Sequence, residues 1–295
     1  MIEFDPSRDM TTGVRSTTTR RSAPTGRRAA PPLGTALFRA IKLIGVAAII
    51  SSSGSFEAKA DFWPNVVFGS PTDRYAHAVL GDAIEYGSLD VVVIRDSGDA
   101  VISSVALPKD RVFEDLQPRL LEMPSFPDEG VNAVVVVESQ REMGASLVLY
   151  RIIGGLFAPD AKLEKVAATP HIGRSYRWLA PAGIADFDGD GQIDIAYVET
   201  PHLGKILKFV TLKGDQLVPI VEPQPGFSNH AIGEDFITSG VRQCAGRVEL
   251  LTPDASRSTL MAVRIEGGKV VAEPTSYAPS LAGIEQAKRL SLIHI

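Results

Sequence analysis

The segment DFDGDGQID holds four aspartates within nine residues, at loop positions 1, 3, 5 and 9: Asp186, Asp188, Asp190 and Asp194. Like charges this close repel one another unless a cation neutralises them. Alternate side chains of a tight loop can turn inward, and Gly189 and Gly191 permit the turn. Calcium accepts roughly six to eight hard oxygen ligands of this kind. The segment therefore predicts one Ca²⁺ site made by these aspartates, with the backbone carbonyl of Gln192 as a further ligand.

An EF-hand loop begins in the same way, D-x-D-x-D-G, but it ends differently. It needs a bidentate glutamate at position 12 and a helix directly after the loop. Position 12 here is Tyr197, and the residues that follow the loop, IDIAYVE, alternate as in a β-strand. We therefore exclude an EF-hand.

The whole of residues 61–280 is rich in β-forming sequence. Short runs such as LDVVVIRD, VNAVVVVES and KILKFVTL are dominated by Val, Ile and Leu, and clusters of Gly, Pro, Asp and Ser separate them. The one helix-like stretch is SLAGIEQAKRL, near the end of the chain. The sequence therefore predicts an all-β fold.

Weak internal repeats indicate how the strands are arranged. HAVLGD, from His77, resembles HAIGED, from His230, and MPSFPDEGVNAVVVVES aligns with IADFDGDGQIDIAYVET at an offset of 61 residues. These matches define four degenerate units that begin near residues 75, 117, 178 and 228. Such repeats are typical of a β-propeller, for which we expect about four to five blades, incomplete at the C-terminus. A non-repeating β-sandwich is the alternative.

The other copies of the aspartate loop have lost most of their acids. The copy at 125–133 carries different residues at the four aspartate positions: Ser125, Pro127, Glu129 and Ala133. The copy at 82–90 keeps only the first and last of the four, Asp82 and Asp90. We therefore expect metal binding at the intact loop alone.

A D-x-D-x-D-G-x-x-D loop that runs directly into a strand resembles the FG-GAP or VCBS repeat of integrin-type propellers, over Pro181–Glu199. The segments RYAHAVLGDAIEYGSLD, HIGRSYRWLAPAGIADFDGDG and NHAIGEDFITSGVRQC are similar to exported VCBS-repeat proteins of alphaproteobacteria. The resemblance implies a Ca²⁺-stabilised propeller that is used for binding. It also implies the ligand set Asp186, Asp188, Asp190, Gln192 and Asp194.

Both ends of the chain differ from the predicted propeller. The beginning is rich in Arg, Ser, Thr and Pro, and a short apolar run at Leu43–Ile50 precedes a small-x-small site that ends at Ala60. These features predict a signal peptide over 1–60 with a long basic, disordered beginning. Residues 281–295 are expected to form a tail. Its last six residues, LSLIHI at 290–295, match a translated transposon-adapter sequence, and we interpret them as adapter-derived.

Charge separates the beginning of the chain from its body. The formal net charge is −5, yet residues 1–60 carry nine basic and four acidic residues. The remaining 21 basic and 31 acidic residues make the body acidic, which argues against nucleic acid as a partner. After signal cleavage we expect no membrane span, and a location in the periplasm or outside the cell.

The sequence carries no G-x-S-x-G, H-E-x-x-H or C-x-x-C motif and no phosphate-binding glycine loop. His77 and His230 occupy matching repeat positions, which favours a structural role. The segment RSYRW offers Tyr176 and Trp178 either for stacking on a ligand or for packing between blades. We therefore predict a non-catalytic module that binds a protein or a glycan. The alternative is a carbohydrate-active enzyme, a hydrolase or lyase, on a propeller scaffold.

Overall fold

The computed structural model describes residues 63–94, 100–244 and 246–291, which belong to one compact unit. They form seventeen β-strands and one α-helix, so the predicted all-β fold is confirmed. The predicted signal peptide at 1–60 and residues 292–295 lie outside the described residues. Within the described ranges, no helix has the length and hydropathy that a bilayer span requires.

The strands form four successive antiparallel units. Unit one contains β1 (Trp63–Thr72), β2 (Glu85–Ile94) and β3 (Ala100–Ala106); unit two contains β4 (Arg111–Phe113), β5 (Arg119–Leu121), β6 (Ala133–Gln140), β7 (Gly144–Ile153) and β8 (Lys162–Ala168); unit three contains β9 (Leu179–Ala185), β10 (Asp194–Glu199), β11 (Ile206–Lys213), β12 (Gln216–Pro219) and the short edge strand β13 (Gln224–Pro225); unit four contains β14 (Gly240–Cys244), β15 (Arg247–Pro253), β16 (Leu260–Glu266) and β17 (Lys269–Pro274).

Two single residue pairs join the first three units. Tyr86 on β2 pairs with Phe113 on β4, and Gln216 on β12 pairs with Ala168 on β8. Units one to three therefore form one 13-stranded sheet, and unit four forms a separate 4-stranded sheet. A succession of antiparallel meanders of three to five strands is the arrangement of propeller blades, so the fold is propeller-like.

The repeat at an offset of 61 residues coincides with matching strands. Ala133 begins β6 and Asp194 begins β10, at the offset of 61 residues seen in the sequence. The loop from β5 to β6 is therefore equivalent to the aspartate loop from β9 to β10.

The strands β6 and β10 are buried on both faces because each lies between two other units. Val134 on β6 shares an apolar cluster with Leu89 of unit one, whereas the adjacent Val135 shares a cluster with Ile195 of unit three. Ala196, the next residue of β10, belongs to a third cluster that includes unit four. Successive side chains of a strand point to opposite faces. This double burial explains why both strands read as nearly continuous apolar runs.

The helix α1 (Leu281–Ser291) covers the outer face of unit four. Its buried residues Ile284 and Ala287 form a cluster with Leu251 and Leu260, on β15 and β16. The neighbouring Leu250 points the other way, into the cluster shared with unit three. Unit four is thus buried on both faces, by a sheet on one side and by a helix on the other.

Candidate functional site

The aspartate loop joins β9 to β10 and brings three of its carboxylates together. Asp186 and Asp188 lie in the loop, and Asp194 is the first residue of β10. One oxygen from each carboxylate lies within 4.8 Å of the other two. This group could hold a metal ion, since converging carboxylate oxygens are the ligands of hard cations.

The backbone of the loop is wound around Asp186. Its Oδ1 accepts hydrogen bonds from the N–H groups of Gly189 (2.7 Å) and Asp190 (3.1 Å), and its Oδ2 accepts one from Gly191 (2.9 Å). The φ angles of the two glycines are 81° and 85°, which residues with a Cβ atom rarely adopt. The glycines therefore permit the turn and let three N–H groups point at one carboxylate.

Asp194 is buried with one oxygen unpaired. Its Oδ2 accepts the N–H of Phe187 at 2.9 Å, but its Oδ1 has no hydrogen-bond partner, and the residue is only 1% exposed. Burial, together with the charges of Asp188 and Asp190, raises the pKa of Asp194 to about 6. An unpaired buried acceptor is costly, and a cation among the three carboxylates would satisfy it. The residues present therefore fit a metal ion.

No basic side chain within the described residues forms an ion pair with these three aspartates. Arg247 and Arg264 line the cleft of about 450 Å³ beside the loop. They pair instead with glutamates of unit four, because Glu266 lies 2.8 Å from Arg247 and 2.6 Å from Arg264, and Glu273 lies 3.0 Å from Arg264. The negative charge of the loop is thus available to a cation from solution.

The other two predicted ligands are Asp190 and Gln192. Asp190 is not one of the three grouped carboxylates, and its Oδ1 accepts the N–H of Gln192 at 2.7 Å. As the loop stands, Asp190 stabilises the turn. Coordination by Asp190 and by the Gln192 carbonyl stays a prediction.

The loop equivalent in unit two is held by an arginine. Asp128 pairs with Arg151 at 2.6 Å and also accepts the N–H of Gly154 at 3.0 Å. In unit one, Asp82 accepts the N–H of Ile84 within its own turn, whereas Asp90 lies within β2 and accepts a hydrogen bond from the Ser104 hydroxyl. Neither copy gathers three acids; metal binding at the intact loop alone stays a prediction.

A second concave site, the histidine pocket, lies where four connections between strands meet. Its volume is about 270 Å³, and it is lined by His77, Val79, Tyr176, Arg177, Trp178, Thr200, His202, Leu203 and Ile232. The segments RYAHAVLGD, RSYRW and NHAIGED, which are far apart in sequence, all contribute to this lining. Tyr176 is 47% exposed, whereas Trp178 is buried and donates its indole N–H to the carbonyl of Glu114 at 2.8 Å. Trp178 therefore packs between units and is not available for stacking.

Two histidines of this region form a directed hydrogen-bond chain. Nε2 of His230 lies 2.9 Å from the carbonyl oxygen of Glu234, and a carbonyl can only accept, so this Nε2 carries the hydrogen. In the neutral ring, Nδ1 of His230 then accepts from Nε2 of His202, 2.9 Å away. The Nδ1 atom of His202 is left as an unprotonated nitrogen. Both ring nitrogens of His230 are thus hydrogen-bonded within the protein; its structural role stays a prediction.

His202 is expected to stay neutral at mildly acidic pH. Burial, and to a smaller extent the neighbouring histidines and Arg257, lowers its pKa to about 4. The folded protein therefore binds fewer protons than the unfolded chain between pH 4 and the ordinary value of 6.5, so this group reduces stability as pH falls through that window. An imidazole NMR titration checks the pKa directly. A midpoint near 6.5 for His202 would contradict the buried chain described above.

Comparison with known proteins gives no family assignment. No family model matches the chain, and no curated protein matches it either. Among solved structures, a periplasmic gluconolactonase of Pseudomonas aeruginosa, PpgL, is similar at 13% identity and a TM-score of 0.39, over 68% of this chain and 50% of that one. The chain thus spans half the length of that structure, and a likeness this weak supports no conclusion about fold or function.

Proposed function

We propose that this chain is an exported repeat module of the FG-GAP or VCBS type, stabilised by one Ca²⁺ ion, that binds a protein or glycan partner and does no catalysis. The observation that carries the proposal is the unpaired, buried Oδ1 of Asp194 beside the carboxylates of Asp186 and Asp188. The acidic body of the chain makes nucleic acid an unsuitable partner. Export, to the periplasm or beyond the cell, rests on the sequence of residues 1–60.

Calcium is favoured because the grouped ligand atoms are all carboxylate oxygens. Softer metals such as zinc prefer the nitrogen of histidine and the sulfur of cysteine, and the grouped residues include neither. The proposed ligands are Asp186, Asp188, Asp190, Asp194 and the carbonyl of Gln192. Oδ2 of Asp190 makes no hydrogen bond to any described residue, so Asp190 can offer this oxygen to the ion while its Oδ1 keeps the hydrogen bond from Gln192.

Thermal unfolding of the purified protein with Ca²⁺ and with a chelator tests the proposal. An ion that binds only the folded state stabilises it by about 2.7 kcal/mol at a hundredfold excess over Kd. We expect Ca²⁺ to raise the melting temperature of the wild type, and the rise to disappear in Asp188→Ala.

Asp215→Asn is the matched control for this experiment. Asp215 is an exposed residue in the turn between β11 and β12 and lies outside the group of three aspartates. Its substitution should leave the Ca²⁺ response unchanged. Identical melting curves of the wild type with Ca²⁺ and with chelator would contradict the proposal.

The alternative, a carbohydrate-active enzyme, needs catalytic groups that converge in a pocket. Most glycoside hydrolases use two carboxyl groups that flank the scissile bond. The described residues that line the histidine pocket include neither aspartate nor glutamate. We therefore prefer the binding module.

A further inference from the structure

In the histidine pocket, a hydrogen bond to a buried carboxylate holds the imidazole ring of His77 in place. Nδ1 of His77 lies 2.5 Å from Oε1 of Glu114, and Glu114 is completely buried. The other oxygen of Glu114 accepts a hydrogen bond from the buried hydroxyl of Ser139. We assign the shared hydrogen to Nδ1, which donates to the carboxylate. The ring of His77 is therefore held in one orientation, with Nε2 as its remaining polar atom.

Two ring nitrogens in this pocket lack a protein partner. Nε2 of His77 makes no hydrogen bond to any described residue, and neither does Nδ1 of His202. Both rings line the same cavity. Nδ1 of His202 is an acceptor, whereas Nε2 of His77 accepts in the neutral ring and donates in the charged ring. A ligand that fills the pocket is therefore expected to carry hydroxyl groups, which both donate and accept hydrogen bonds.

The rim of the pocket is apolar and exposed. Tyr176, Leu203 and Ile232 line the cavity and are 47%, 63% and 72% exposed, respectively. The ring of Tyr176 lies 5.3 Å from that of His77, so an apolar surface and an acceptor nitrogen stand side by side. Such a combination suits a small ring that has both C–H faces and hydroxyl edges. Arg177, also in the lining, disfavours a cationic ligand.

The backbone around the pocket is strained. Of the six described non-glycine residues with positive φ, three lie in or beside the lining: Ala78 (55°), Tyr176 (54°) and Thr200 (46°). Residues with a Cβ atom enter this region at a cost, and such outliers cluster at binding sites, where the surrounding fold holds them in place. With this positive φ, Tyr176 places its aromatic ring in the lining of the pocket.

We propose that the histidine pocket binds one sugar ring of a glycan, with Tyr176 against an apolar face of the ring and with Nε2 of His77 and Nδ1 of His202 hydrogen-bonded to its hydroxyl groups. This inference rests on the proposed binding function, but it does not depend on the aspartate loop. The volume of about 270 Å³ is enough for a single small ring.

Saturation-transfer NMR with the full-length protein tests the proposal. The probes are the methyl glycosides of glucose, galactose, mannose and N-acetylglucosamine, each titrated past the Kd of about 1 mM that a single-ring site would have. We expect transfer to the C–H protons of at least one sugar, and a shift of the imidazole resonances of His77 and His202. Absence of transfer to all four sugars would overturn the proposal.

Tyr176→Asn is the informative variant, because asparagine tolerates positive φ and the fold should survive. We expect the affinity obtained from the titration to fall at least about tenfold, equivalent to about 1.4 kcal/mol, with little change in melting temperature. Phe157→Asn is the control, since Phe157 is also an exposed aromatic residue and lies outside the pocket. Equal transfer in Tyr176→Asn and the wild type would overturn the proposal.

Two further arms separate this proposal from its competitors. The sugar titration is repeated with chelator, which measures sugar binding in the absence of Ca²⁺. The sugar proposal can then fail while the Ca²⁺ proposal holds, and the Ca²⁺ proposal can fail while the sugar proposal holds. Zn²⁺ is titrated in parallel, because two imidazole nitrogens are also metal ligands. Shifts of His77 and His202 with Zn²⁺ but with none of the sugars would assign the pocket to a metal and overturn the proposal.

Discussion

Asp194→Asn is expected to stabilise the metal-free protein and to abolish its response to Ca²⁺. In the wild type, Oδ1 of Asp194 is buried without a partner and close to two other carboxylates. The asparagine keeps the oxygen that accepts from Phe187 and places an N–H group where the carboxylates of Asp186 and Asp188 can accept. Removal of an unpaired buried acceptor is worth about 1–3 kcal/mol. The stabilisation of about 2.7 kcal/mol by a hundredfold excess of Ca²⁺ should be lost at the same time.

Chemical unfolding in chelator and in Ca²⁺ measures both parts of this prediction. Asp254→Asn is the control, because Oδ1 of Asp254 already accepts the N–H groups of Ser258 and Thr259 in a loop of unit four. Its effect should be the same with and without Ca²⁺. A metal-free Asp194→Asn protein less stable than the metal-free wild type would show that the carboxylate is satisfied in some other way.

Glu85→Gln is expected to stabilise the protein increasingly as pH rises. Glu85 begins β2 and is 2% exposed, and its carboxyl group makes no hydrogen bond or ion pair with any described residue. Burial, followed by the charges of Glu114, Asp82 and Asp115, raises the pKa of Glu85 to about 9. The folded protein therefore binds more protons than the unfolded chain between pH 4.5 and about 9. Stability from this group is lost as pH rises through that window.

The variant removes this cost because glutamine is neutral at every pH. At pH 7 the free energy of unfolding of the variant should exceed that of the wild type by about 3 kcal/mol. Each pH unit above the ordinary pKa of Glu85 contributes about 1.36 kcal/mol to this difference. Denaturant unfolding of both proteins from pH 5 to pH 9 measures it. Glu142→Gln is the control, since Glu142 is exposed in the turn before β7. Parallel stability curves for Glu85→Gln and the wild type would contradict the prediction.

The aspartate loop could be predicted from sequence because its geometry is local. Asp186, Asp188 and Asp194 are brought together by the turn at Gly189 and Gly191, which short-range spacing encodes. Strand positions also followed from local sequence, since most of β6 and β10 is a continuous apolar run, AVVVV in the first and IAYV in the second. The bridging pairs that join units into one sheet involve single residues and leave no pattern in the sequence.

The histidine pocket could not be predicted, because it depends on contacts between distant segments. Glu114 lies 37 residues from His77 and 64 from Trp178, yet it contacts both. Nothing in the surrounding RVFEDLQ distinguishes this glutamate from an exposed one. The burial of Glu85 could not be predicted from local sequence for the same reason. The repeats HAVLGD and HAIGED were the available signal for the histidine pocket. They identify two of the segments that line it, but they do not indicate that these segments contact one another.

The helix α1 has a consequence for assembly. Adjacent units share apolar clusters, so an uncovered outer face on unit four would accept a unit from a second molecule and extend the stack from chain to chain. Contacts of this head-to-tail kind do not close and produce filaments. Ile284 and Ala287 occupy that face instead. The helix therefore protects unit four against self-association through this face.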